Sequence, residues 1–284
     1  LRSYAKVNVF LEVLGRRDDG FHELETVMLK TQLSDVMHFR QTPGKVTLRL
    51  SSKSRPSVRT VFPLDQSNLI LKAASALQSY VGTQLGAEVT IQKRIPSEAG
   101  LAGGSSNAAT TLLALNQLWG LGVSKTELHA IAAALGSDIN FFVEDCRAAV
   151  CRGRGELIEP IPVNGVFQFV AVRPEAGNST PAVFSKLQLP SSILQPDCVV
   201  EALRLGSSER LEAVVFNRLT KPAQDVNPGM KQLMCDVQSL TGRPVFMSGS
   251  GSTCFLIARS LREASRLSQR VRSCGHRVFG LMGG

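Results

Sequence analysis

The chain has 284 residues, of which 43% are hydrophobic and 19% charged, with a formal net charge of +9. This length supports one large domain or two small ones with a full core, and the composition excludes a disordered chain. One Trp and two Tyr give no aromatic surface for stacking bases, and the densest basic stretches, 45–59 and 259–277, lack interleaved aromatics, so the charge reads as a solvated positive surface with no nucleic-acid partner.

The six cysteines (Cys146, Cys151, Cys198, Cys235, Cys254 and Cys274) form no C-x-x-C pair and have no histidine at ligand spacing. They read as reduced thiols of an intracellular compartment rather than zinc ligands. No apolar run approaches the roughly 20 residues that span a bilayer, so no membrane role is expected. The start at Leu1 is compatible with a trimmed leader or tag.

Along the chain, residues 3–14 alternate with period two. Ala5, Val7, Val9, Leu11 and Val13 share one face, and Lys6, Asn8 and Glu12 the other, as in a half-buried strand. GRRDDG (15–20) is a turn, and strands are predicted over 25–33, 36–40 and 45–50, the last two as further antiparallel strands, followed by a polar loop over 53–63. Leu69, Ala73, Ala76, Leu77 and Tyr80 place a helix over 68–81, and 88–92 is a short strand.

PSEAGLAGGSSNAAT (96–110) then runs a glycine- and serine-rich loop into a helix. Gly100, Gly103 and Gly104 let the backbone curl; Ser105, Ser106 and Asn107 are cap-type residues ahead of Ala108, Ala109, Leu112, Leu113 and Leu115. The unpaired amides and partial positive charge of a helix start suit such a loop to phosphate oxygens. It matches neither the Walker A pattern nor G-x-G-x-x-G, and a serine-capped turn is the plainer alternative.

Helices over 105–119 and 124–135 follow, then Gly136-Ser137-Asp138 breaks the second before 140–143. Strands at 148–152 and 156–160 form a hairpin through 153–155, and the proline and glycine density at 160–165 marks a domain junction, giving domains 1–160 and 161–284. Beyond it lie a strand at 167–172, a helix start at 178–181, helices over 197–205, 208–214 and 228–240, and strands at 245–247 and 254–258 flanking the turn SGSGST (248–253). A helix over 260–273 and a strand over 277–281 close an α+β chain.

Lys6 and Asn8 on the first strand, the loop at 96–109 and the turn at 248–253 resemble, in that order, the three motifs of the GHMP kinases. The segments AKVNVFLEVLGRRDDGFHELETVM, GLAGGSSNAAT, LGSDINFF, RGRGE and MSGSGSTCF carry the likeness nearly end to end. The branch they resemble acts on a cytidine-diphosphate-linked methylerythritol. The resemblance implies a two-domain fold: an N-terminal nucleotide domain like ribosomal protein S5 domain 2, and a ferredoxin-like C-terminal domain, with the active site between them. It implies transfer of the ATP γ-phosphoryl to a tertiary 2-hydroxyl, with Mg²⁺, in non-mevalonate isoprenoid synthesis.

By position, Lys6 and Asp138 match the catalytic residues, and Asn8 a substrate contact. Asn68, Lys93, Pro96, Gly100, Leu101, Ala102, Gly103, Gly104, Ser105 and Ser106 match the ATP site, with Ser106 a candidate metal ligand. Phe21, His22, Thr180, Phe184, Gly249 and Gly251 match the substrate side, where cytosine is expected between Phe21 and Phe184. A tertiary alcohol is a weak nucleophile, so a carboxylate to take its proton, supported by an ammonium, is useful chemistry. Taken singly, a strand lysine is more often just solvated, and an aspartate after a helix-ending glycine a turn former.

Ala102 stands where the family usually has glycine; if its φ is positive, the Cβ costs about 1–2 kcal/mol. Phe21 stands where tyrosine is common and keeps the ring. The GSDI…CRGRGE combination resembles plastid versions, giving plastid stroma as the expected compartment, with bacterial cytoplasm the alternative and a monomer or weak dimer expected. Another GHMP kinase, acting on homoserine, mevalonate or a sugar, is the second reading, and a non-catalytic binder of a metabolite or RNA the third.

Overall fold

A computed structural model describes residues 1–54, 62–97 and 99–284. By contacts, these fall into two compact units, a division different from a cut at residue 160. The first holds the described residues of Leu1–Ala5, Leu33–Ser97 and Ala102–Asp145; the second holds Lys6–Gln32, 99–101 and Cys146–Gly284. Two long strands, β1 (Arg2–Arg16) and β2 (His22–Thr42), contribute residues to both.

In the first unit, residues 36–42 of β2 pair antiparallel with β4 (Gly86–Gln92), and β3 (Thr47–Leu50) pairs with β4 in parallel. Helix α1 (Leu69–Val81) begins at Asn68, whose side chain accepts from the Ile70 amide, and lays Ile70 and Leu71 on Met37, Val89 and Ile91 of the sheet. Burying each of these side chains contributes roughly 1.5–3 kcal/mol, more than the single cap. Helix α2 (Gly103–Leu118) precedes α3 (Lys125–Leu135), which starts on a Ser124–Glu127 capping box, and the short α4 (Ile139–Val143).

In the second unit, β5 (Ala148–Gly153) pairs with residues 24–29 of β2 and with β6 (Leu157–Ile161). A further set of strands runs β7 (Phe167–Arg173), β9 (Phe246–Met247), β10 (Cys254–Ala258) and β11 (Arg277–Gly283), arranged in the order β11-β7-β10-β9 with all neighbours antiparallel. Helices α5 (Thr180–Ser185), α6 (Asp197–Arg204), α7 (Ser208–Val214), α8 (Thr220–Val226) and α9 (Pro228–Thr241) precede β9, and α10 (Leu261–Ser273) joins β10 to β11. With α9 and α10 as crossovers this is the split β-α-β order of a ferredoxin-like domain. Met230, Leu233 and Val237 of α9 and Leu267 and Val271 of α10 share one core with Val170, Val172 and Leu256.

Several sequence expectations change. One strand, β2, runs through the region expected to hold two, and β3 joins its neighbour in parallel rather than antiparallel. The second face of β1 is not solvated: Lys6, Asn8 and Glu12 are all buried. Helix α2 begins at Gly103, and its N-cap is Ala102, so Ser105, Ser106 and Asn107 lie inside the helix instead of capping it. Leu113 and Tyr80, placed on apolar helix faces by spacing, are 39% and 50% exposed, and Tyr80 turns its hydroxyl to Glu127. The short β8 (Phe216–Asn217) and α8 carry too few periodic residues to be read from sequence. Of the polar loop expected over 53–63, residues 55–61 lie outside the described residues, as does Glu98.

Candidate active site

In the second unit, residues far apart in sequence meet around β1. Lys6 donates from Nζ to Asn8 Oδ1 at 2.5 Å, and Asn8 Nδ2 donates to Thr26 Oγ1 at 2.8 Å. The Asn8 amide donates to Ser248 Oγ at 3.1 Å, and that hydroxyl donates to the Gly100 carbonyl at 2.9 Å. The Lys6 amide donates to the Leu101 carbonyl, and the Thr253 amide to the Ala99 carbonyl, both at 3.2 Å. The first motif, the middle of the glycine loop and the glycine turn therefore form one hydrogen-bonded assembly.

Glycine is favoured at two of these positions. Gly100 has φ +69, and a Cβ there would lie 2.3 Å from the Ser248 carbonyl oxygen. Gly249 has φ +59, and its α-carbon approaches closely enough that a Cβ would stand 3.6 Å from Lys6 Nζ and 3.4 Å from Asn8 Oδ1. A larger residue there would cover the ammonium.

In the first unit, α2 opens on Ala102, which has φ 52 and ψ 33 in the left-handed region, and no side chain caps its first turn. The condition set for Ala102 is thus met: this alanine carries the left-handed strain of about 1–2 kcal/mol that glycine would not. A 16-residue helix whose first amides receive no side-chain cap fits an anion at that end. Gly103 is buried, and a Cβ there would meet Lys93 Nζ at 2.9 Å and Ile95 at 2.8 Å; Gly104 is exposed, while Pro96 and Ser105 are half-buried.

Three of the expected ATP residues hold the frame. Asn68 caps α1 and donates to the Pro63 carbonyl at 2.6 Å. Lys93 is enclosed, its ammonium on Asp35 Oδ2 at 2.5 Å; burial pulls its pKa below the usual lysine value against the opposing pull of Asp35. Ser106 is 1% exposed and accepts from the Ser3 hydroxyl at 2.7 Å. Asp138 is half-buried at the start of α4 and makes no capping hydrogen bond to that helix.

The aromatic residues lie in the second unit. His22 and Phe184 stack, with ring centroids 4.8 Å apart and planes tilted by 31°. Phe21 is 51% exposed and carries the Arg154 guanidinium 4.9 Å over its ring. The ring stacked on Phe184 is thus His22. Burial, with the nearby Arg16 charge, holds the His22 pKa below the usual value, so its imidazole is neutral at pH 7. Thr180 Oγ1 lies 2.8 Å from Ser250 Oγ, and Asn178 Nδ2 donates to the Ser250 carbonyl at 2.9 Å. Gly251 is kept small by Asn178, whose Nδ2 a Cβ would meet at 2.5 Å.

Sequence reasoning missed Asp35, Asn178, Ser248 and the Arg154–Phe21 contact. For Asp35 a signal existed, an aspartate inside the strand segment LSDVM. Among the described residues no group of three or more His, Cys, Asp or Glu could hold a metal ion.

The pattern described as GHMP kinases N terminal domain matches residues 68–145, and that described as GHMP kinases C terminal matches residues 199–277. A 4-diphosphocytidyl-2-C-methyl-D-erythritol kinase of Polaromonas sp. (strain JS666 / ATCC BAA-500) is 40% identical over 261 residues, covering 89% of this chain and 81% of the relative. A chloroplastic/chromoplastic kinase of the same name from Solanum lycopersicum is 40% identical over 260 residues, covering 89% of this chain and 63% of the relative. A crystal structure of 4-(cytidine 5'-diphospho)-2C-methyl-D-erythritol kinase superposes with a TM-score of 0.81 at 32% identity, covering 100% of this chain and 99% of the other. The chain belongs to the GHMP kinases, and within them to the 4-diphosphocytidyl-2-C-methyl-D-erythritol kinase family.

Proposed function

We propose that the chain uses ATP to phosphorylate the 2-hydroxyl of 4-diphosphocytidyl-2-C-methyl-D-erythritol, giving the 2-phosphate. The observation that carries this reading is the assembly of Lys6, Asn8, Ser248 and Gly100, which joins three separated motifs in a chain 40% identical to kinases of that name.

Each residue has a role. Asp138 accepts the proton of the tertiary hydroxyl as its oxygen bonds to the γ-phosphorus and the bond from that phosphorus to the β,γ-bridging oxygen breaks, releasing ADP; general base help of this kind contributes roughly 10²–10⁴-fold. Lys6, held by Asn8, offsets the negative charge that accumulates during transfer. The amides that open α2 hold phosphate oxygens, and Ser106 is the hydroxyl nearest in kind to a magnesium ligand. ATP brings the phosphoryl group and Mg²⁺ the neutralising charge. Phe21, His22 and Phe184 form the aromatic surface for the cytosine, Arg154 holding the Phe21 ring. Asn8, Thr180 and the turn at Gly249 and Gly251 bound the acceptor.

The same aromatic residues disfavour homoserine, mevalonate or a sugar, which offer them nothing to stack on. A parallel assay of the cytidine-linked alcohol, mevalonate, homoserine and galactose tests this. Turnover confined to the first is expected, and turnover confined to any of the others overturns the substrate assignment. The plastid stroma is the proposed compartment, supported by the tomato relative's compartment and the CRGRGE segment. Fractionation of the source cells tests it, and recovery outside plastids rejects it.

A further inference from the structure

The buried carboxylate of Asp35 gathers chain from both sides of the glycine loop. Asp35 is 0% exposed on β2. Its Oδ1 accepts from the Arg94 amide at 2.6 Å and the Ile95 amide at 2.9 Å, just before the loop. Its Oδ2 accepts from Lys93 Nζ at 2.5 Å and from Asn107 Nδ2 at 2.9 Å, in the second turn of the helix just after it. Asn107 Nδ2 also donates to Ser3 Oγ at 2.8 Å, and Ser3 Oγ donates to Ser106 Oγ at 2.7 Å. These acceptors fix the Asn107 amide even though its own Oδ1 has no hydrogen-bond partner among the described residues.

The charges are arranged as closely as the bonds. Lys93 Nζ lies so near Gly103 that a Cβ there would stand 2.9 Å from it. An ammonium beneath the positive end of a helix is unfavourable by itself. Asp35 neutralises it there while leaving the first-turn amides to outside anions. A buried ion pair survives only when its remaining lone pairs are satisfied, and four donors satisfy this carboxylate.

We propose that Asp35 is the positioning residue of the nucleotide site, fixing the first turn of α2 and, through Asn107 and Ser3, the Ser106 hydroxyl. The inference rests on the reading of residues 96–106 as the phosphate loop.

The test is Asp35→Asn in the full chain, with ATP affinity measured by equilibrium dialysis without acceptor, alongside steady-state kinetics. Asparagine keeps the size, loses the charge and points an amide at Lys93 and Asn107. ATP dissociation constant and KM are expected to rise at least about tenfold, with the acceptor KM within about twofold of the parent. A folded variant that binds ATP within twofold of the parent overturns the proposal, and so does equal weakening toward both substrates, which marks general loosening. Should Asp35→Asn fail to fold, Ser3→Ala cuts the far end of the same relay. A rise in ATP KM of about three- to tenfold with acceptor KM unchanged is then expected, and an unchanged ATP KM overturns the proposal. A parent chain that binds no ATP removes the kinase reading itself, an outcome separate from a parent that binds ATP and an Asp35 variant that binds it equally well.

Discussion

Gly100 and Ser248 are locked together twice: the Ser248 hydroxyl donates to the Gly100 carbonyl at 2.9 Å, and the Ser248 carbonyl leaves no room for a side chain on Gly100. Gly100→Ala combines a left-handed alanine with a 2.3 Å approach to backbone oxygen, which cannot swing aside as a side chain does. The expected penalty is about 2–5 kcal/mol. Thermal unfolding checks it, and a midpoint unchanged from the parent would show that the two segments of this contact separate freely.

Ala102 gives the opposite sign. With φ 52 it already occupies the conformation that glycine tolerates best. Ala102→Gly relieves about 1–2 kcal/mol of strain and loses about 0.4–1 kcal/mol to unfolded-chain entropy. A net gain of about 0–1.6 kcal/mol follows, or up to roughly 6 °C in the unfolding midpoint of a chain this long. A lower midpoint would contradict the assigned backbone.

Asp138→Asn removes the proposed base while preserving size. Turnover should fall at least ~10²-fold, with ATP affinity kept within a few-fold. Single-turnover kinetics under saturating substrates make the comparison. Retained turnover would assign the proton transfer to another group.

Phe184→Ala removes the ring stacked on His22. Stacking of a base on an aromatic ring contributes about 1–3 kcal/mol, so the acceptor KM should rise roughly 5- to 150-fold with ATP KM unchanged. Steady-state titration of each substrate at saturating levels of the other separates the two. Equal changes in both KM values would count against a cytosine contact.

Glu12 carries a pH dependence. Burial pushes its carboxyl up, but hydrogen bonds from Arg218, the Leu194 amide and the Val13 amide outweigh burial and hold the pKa below the usual glutamate value. A group more acidic in the folded than in the unfolded chain adds stability above the unfolded pKa of about 4.3 and loses it as pH falls through the folded value. Stability should decline in that acid window, and Glu12→Gln should flatten the decline. Arg218→Met should cost about 3 kcal/mol at neutral pH, because it strands a carboxylate that is 0% exposed. Urea titrations at pH 7 and pH 4 measure both effects.

Much of this was legible in the chain because local chemistry and tertiary role agree. The break at Gly136 marks the end of α3, and period-two alternation announces β1. The placement of α2's first residue was not legible, because Ser106 and Asn107 look like caps yet spend their side chains within the unit, on Ser3 and on Asp35; Asn107 and Asp35 are 72 residues apart. Burial of Lys6 and Asn8 was hidden for a similar reason. A polar face on a strand reads as solvated, and only Ser248, 240 residues distant from Asn8, shows that it is covered. The parallel pairing of β3 depends on β4, which no local pattern in 45–50 records.

The measurement that tests the central claim most directly is phosphorus NMR of the chain incubated with ATP, Mg²⁺ and 4-diphosphocytidyl-2-C-methyl-D-erythritol. The account predicts a new phosphomonoester resonance on the methylerythritol 2-oxygen, growing in step with ADP while the cytidine diphosphate signals persist. ATP left intact, or broken down to inorganic phosphate with no new ester, would contradict it.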